Sequence, residues 1–82
     1  MEAMDESERE AIWRTPLLVG GLRPTRGEIR ERLFAAVGIT GNEDRMTLAW
    51  SPIRDHDFWV QLVGEVAKIV AEARVIEASL PE

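Results

Sequence analysis

The segment FWVQLVGEVAKIVAEARVI, residues 58–76, contains no proline, and its apolar residues recur at alternating steps of three and four. That spacing places them on one face of a helix, as in the seam of a coiled coil. The seam residues are Trp59, Leu62, Val66, Ile69, Ala73 and Ile76. A second apolar stripe runs beside the seam and consists of Val63, Ala67 and Val70.

Between Phe58 and Glu72 the polar residues form one narrow stripe: Gln61, Glu65, Lys68 and Glu72. A surface helix is usually apolar over an arc of about 100°, whereas this one is apolar over most of its circumference. It therefore needs cover on more than one side, and few apolar residues remain elsewhere in the chain to supply it. We expect this helix at the centre of a homodimer or an obligate complex, with the six seam residues at the interface.

The bounds of the long helix are predicted from its flanking residues. Ser51 is a suitable N-cap, and Pro52 suits the first helical position, where its missing N–H costs no hydrogen bond. Asp55 and Asp57 favour the positive end of the helix dipole. We therefore predict a helix over residues 52–78.

A second helix is predicted over residues 26–37. Thr25 and Glu28 fit the capping-box pattern, in which each side chain satisfies the backbone N–H of the other residue. Apolar residues then follow at helical spacing: Ile29, Leu33, Ala36 and Val37. Gly38 stands where a glycine commonly ends a helix.

The other segments give weaker patterns. Residues 15–24 contain two prolines and a Gly-Gly pair, which favour an extended strap with a possible short strand at 17–19. Residues 42–50 fit an acidic helical turn or a strand at 46–50, and we favour the helix. Residues 1–13 read as an acidic arm or a short helix. The predicted fold is all-α or nearly so, in a single domain over residues 1–82.

Composition limits the chemistry. A chain of 82 residues buries a small core and often needs a partner for stability. The absence of cysteine excludes disulfides, and a single histidine, His56, argues against a zinc site. His56 and its two aspartate neighbours point about 100° apart on a helix and cannot converge on one ion. We expect no metal and no cofactor.

The sequence also argues against an enzyme, because no nucleophile–histidine pairing or paired carboxylate stands out. The formal net charge of −5 disfavours nucleic acid as a partner. With no secretory signal and no membrane-spanning stretch, we expect a cytoplasmic protein. The leading interpretation is a protein-binding module, acting as a regulator, inhibitor or adaptor.

An alternative interpretation rests on Arg23, Arg26 and Arg30, which recur around the start of the 26–37 helix. Guanidinium groups beside a helix N-terminus can hold an anion such as a nucleotide or nucleic-acid phosphate, or the carboxylates of a protein partner. The plainer explanation is an exposed charged face that pairs with neighbouring glutamates. Three tryptophans also stand out, since this residue occurs both in cores and at interface hot spots.

Overall fold

The computed structural model describes residues 5–81, which form four α-helices. The helices are α1 (Glu6–Arg14), α2 (Arg26–Thr40), α3 (Glu43–Leu48) and α4 (His56–Ser79). Within the described residues the only β-type pairing consists of two isolated bridges, Pro16 with Thr25 and Val19 with Leu22. The prediction of an all-α fold is confirmed.

The predicted start of α2 is confirmed. The Thr25 hydroxyl accepts a hydrogen bond from the Glu28 backbone N–H at 3.1 Å, and the Glu28 carboxylate accepts one from the Thr25 backbone N–H at 3.4 Å. The predicted end at residue 37 was wrong, because α2 continues through Gly38 to Thr40. Gly41 ends the helix instead, with a φ of 78° that favours glycine.

The long helix α4 begins later than predicted. Asp55, rather than Ser51, is the N-cap, and its carboxylate accepts a hydrogen bond from the Phe58 backbone N–H at 2.7 Å. Aspartate caps a helix at least as well as serine, and Pro52 lies buried in the preceding turn. The helix ends at Ser79, one residue from the predicted end.

Residues 42–50 contain the short helix α3, so the helical alternative is confirmed and the strand at 46–50 does not form. The strand considered at 17–19 is reduced to single bridges around a two-residue turn. In that turn Val19 and Leu22 exchange backbone hydrogen bonds of 3.0 and 2.9 Å. Gly20 and Gly21 both have positive φ, as the tight hairpin turn requires.

The core lies between α2 and α4, where Leu33 and Trp59 have no exposed surface. Leu17 from the strap and Ala49 after α3 belong to the same buried cluster. Helix α1 contributes no buried residue, although Trp13 packs against the core from outside. It begins at an Asp5 N-cap, so the short-helix interpretation holds for residues 6–14, while residues 1–4 lie outside the described part.

Candidate functional site

Five of the six seam residues lie in the core of the single chain. Trp59, Leu62, Val66, Ile69 and Ala73 are all buried. Ile76 is half-exposed beyond the end of this core. Cover for the seam is therefore supplied by α2 of the same chain, and a second chain could reach these side chains only if the α2–α4 packing opened.

The second stripe of α4 has a different environment. Val63 and Val70 are half-buried and Ala67 is exposed. With Leu22, which is 63% exposed, they line an open groove between α2, α4 and the hairpin turn. We call this surface the α2–α4 groove, and its volume is about 460 Å³.

The rim of the α2–α4 groove is basic. Arg23, Arg32 and Arg74 line it, and none of the three forms an ion pair with a described residue. Glu28 also lines the groove, but its carboxylate is occupied in capping α2. The groove thus combines an apolar floor with unpaired positive charge.

The three arginines of the alternative interpretation are not brought together at one cleft. Arg23 lines the α2–α4 groove, whereas Arg30 lines a cleft beside Trp50. The first turn of α2 is closed by the Thr25–Glu28 capping box, which places a carboxylate where an anion would bind. The local geometry gives no support for a single three-arginine anion site.

Arg26 is held inside the fold. Its Nη1 donates to the Ile12 carbonyl oxygen at 3.4 Å, and its guanidinium lies 5.7 Å from the centre of the Trp59 ring. Its Nε is buried and has no hydrogen-bond partner, and burial lowers the pKa of the guanidinium. These contacts give Arg26 a role in joining α1 to the core.

Arg30 instead organises an exposed aromatic surface. Its guanidinium lies 4.3 Å from the centre of the Trp13 ring, 5.6 Å from Trp50 and 5.8 Å from Phe34. Trp50 is 66% exposed and Ile53 is 64% exposed, and both line the same cleft, so two large apolar side chains present neighbouring surface to water. We call the surface formed by Arg30, Phe34, Trp50 and Ile53 the Trp50 face.

Two clefts flank Trp50. One, of about 370 Å³, is lined by Arg9, Trp13, Arg30, Trp50, Ser51, Pro52 and Ile53. The other, of about 430 Å³, is lined by Phe34, Met46, Thr47, Trp50, Ser51 and Arg54. The sequence interpretation did not identify Phe34 and Ile53 as surface residues. The signals toward this face were the number of tryptophans and the inclusion of Arg30 among the candidate binding arginines.

The acidic and histidine side chains do not converge. Across residues 5–81 no group of three or more such side chains could hold a metal ion. Asp55, His56 and Asp57 are all exposed, and Asp55 caps α4. No helix in this range is long and apolar enough to cross a membrane. The α2–α4 groove and the Trp50 face can bind a partner noncovalently, through apolar contacts and arginines.

No protein-family model, curated protein or solved structure matches this chain.

Proposed function

We propose that this chain is a non-catalytic protein-binding module that self-associates through α4. One observation carries the proposal: the second apolar stripe of α4 lines an open groove and is only partly covered by the rest of the chain. The seam is satisfied by α2, so it is the stripe of Val63, Ala67 and Val70 that still needs cover. A second copy of α4 would supply it.

Apolar burial favours this contact. Leu22 and the α4 stripe present neighbouring apolar surface to water, and removing such surface from water contributes about 25 cal/mol per Å². Ala67 and Ala71 are small and exposed, so another helix can approach the α4 backbone closely there.

The positions of the charged residues on α4 are compatible with an antiparallel pair of α4 helices. If two α4 helices cross with their Ala67 residues together, Arg74 of one chain lies opposite Val60 of the other, since both are equally distant from Ala67. Asp57 stands one helical turn before Val60 and is exposed. Each Arg74, which has no ion-pair partner among the described residues, would then lie near an acidic side chain.

Size-exclusion chromatography with light scattering tests the proposal. We expect twice the chain mass of 9.3 kDa for the wild type at micromolar concentration. Ala67→Arg should give a folded monomer, because two arginines would meet at the centre of the contact beside the basic rim. Ala78→Arg is the matched control, since Ala78 is exposed on α4 and does not line the groove.

Circular dichroism checks that both variants keep their helical content. A wild-type monomer, or a dimer that persists in Ala67→Arg, would contradict self-association through this groove.

A further inference from the structure

We infer that the Trp50 face docks a short acidic segment of another protein, with a large apolar side chain of that segment as its anchor. This goes beyond self-association, because none of the residues that line the two Trp50 clefts lines the α2–α4 groove. The chain would then hold a second copy at one surface and a different protein at the other.

The apolar part of the inference rests on Trp50 itself. Trp50 lines both clefts, so a segment bound in either one can contact it. Ile53 adjoins it in one cleft and Phe34, which is 42% exposed, in the other. An exposed tryptophan flanked by cavities is typical of an interface hot spot.

Arg30 is already positioned for a partner. Its guanidinium lies over Trp13, and Trp13 packs edge-on against the fully buried Trp59 with ring centres 5.8 Å apart. A charged group held in place by rings loses little side-chain freedom on binding, which lowers the entropic cost of the contact. The planar guanidinium is suited to bidentate hydrogen bonds with a carboxylate.

The charge of the two clefts identifies the chemistry of the occupant. Arg9 and Arg30 line one cleft and Arg54 lines the other, while no described aspartate or glutamate lines either. None of the three arginines forms an ion pair within residues 5–81. In a protein of net charge −5 this is a local positive surface, which carboxylates complement.

An acidic protein segment fits better than a nucleic acid. Tryptophan and arginine can also stack on and pair with a single strand. However, a nucleic acid extends its charge well past the clefts, where the remaining net negative charge of the protein repels it. A short segment with a few carboxylates avoids that repulsion.

A random-peptide library displayed on phage tests the inference. The library is selected on the wild-type chain and counter-selected on Trp50→Ala, and the enriched peptides are synthesised with a fluorophore for anisotropy titration. We expect the enriched peptides to place aspartate or glutamate beside a large apolar residue. Added salt should weaken their binding.

Matched variants locate the contact. Trp50→Ala and Arg30→Gln should each weaken the selected peptide by about tenfold or more, the range of hot-spot substitutions. Leu18→Ala and Arg14→Gln are the controls, because these residues are exposed and line neither cleft. Both controls should bind as the wild type does, and circular dichroism checks that all four variants are folded.

Several results would overturn the inference. One is the absence of any peptide that depends on Trp50, and another is enrichment of basic peptides. Displacement of the selected peptide by a single-stranded oligonucleotide at micromolar concentration would identify a nucleic-acid surface instead. Loss of dimer mass in Trp50→Ala would show that the face contacts a second copy.

Discussion

Ile69 distinguishes two explanations for the apolar seam of α4: packing within one chain and contact between two chains. Its side chain is buried between α4 and α2 of the same chain. The charge of a carboxylate placed there would have no partner and would lose its hydration. A residue in the core of one chain supports folding, whereas a residue at a contact between chains supports assembly.

We therefore expect Ile69→Asp to destabilise the chain by about 3 kcal/mol or more. Val75→Asp, the same change on the same helix at a side chain that is 69% exposed, should cost less than about 0.5 kcal/mol. Urea denaturation followed by circular dichroism measures both. A folded Ile69→Asp monomer with wild-type stability would instead place this residue at a contact between chains.

Arg26 and Arg30 show at the same scale how neighbouring arginines on one helix differ. Arg26 is held by the Ile12 carbonyl and the Trp59 ring, so its charge serves the fold. Arg30 lies one turn further along α2 and faces the exposed Trp50 side chain. Their spacing in the sequence suggests one shared role, but Arg26 contacts the core and Arg30 contacts an exposed aromatic ring.

The two glycines near the end of α2 provide a test at the scale of the element. Gly38 lies inside the helix, and a methyl group added there would meet open space. Gly38→Ala should stabilise the chain by about 0.5–1 kcal/mol, because alanine loses less backbone freedom on folding. Gly41→Ala should destabilise it by about 1 kcal/mol, because the φ of 78° disfavours a side chain.

Thermal unfolding of the wild type and of both alanine variants measures the two changes in stability. Stabilisation by Gly41→Ala together with destabilisation by Gly38→Ala would mean that the helix ends at residue 37, as the sequence pattern suggested.

Local patterns predicted the start of α2 because the hydrogen bonds of a capping box are local. Thr25 and Glu28 are three residues apart, and their mutual hydrogen bonds depend on little else. The choice between Ser51 and Asp55 as the N-cap of α4 was different. That choice depends on how the turn around the buried Pro52 packs against the rest of the chain, which no short sequence pattern predicts.

The candidate site was harder to predict than the helices. Periodicity identified the seam and the second stripe of α4, but it contains no information on which chain covers each stripe. Since α2 covers the seam, the stripe around Ala67 is the more exposed of the two. The exposure of Trp50 was beyond local pattern as well, because it results from how the loop before α4 packs.

At the scale of the whole molecule, α1 is attached to the core through few side chains. No residue of α1 is buried, and Trp13 is its largest contact with the core. Helices with few buried contacts open locally at low free-energy cost. We expect amide hydrogen exchange to be faster in α1 than in the central part of α4.

Trp13→Ala should increase the difference in amide exchange rate between α1 and α4. Exchange in α1 should approach the rate of an unfolded chain, while exchange in α2 and α4 should change little. Hydrogen exchange followed by mass spectrometry measures each helix separately. Equal protection of α1 and α4 in the variant would show that α1 unfolds only together with the core.

The three tryptophans differ in burial, so their fluorescence should respond differently to a quencher in solution. Trp59 is enclosed, Trp13 is half-covered and Trp50 is open to solvent. A collisional quencher in solution therefore reaches the three indoles to different extents. We expect iodide, which the arginines around Trp50 attract, to quench the emission of that ring before the emission of the other two. Shielding from iodide consequently reports whether the Trp50 face is occupied, without any added label.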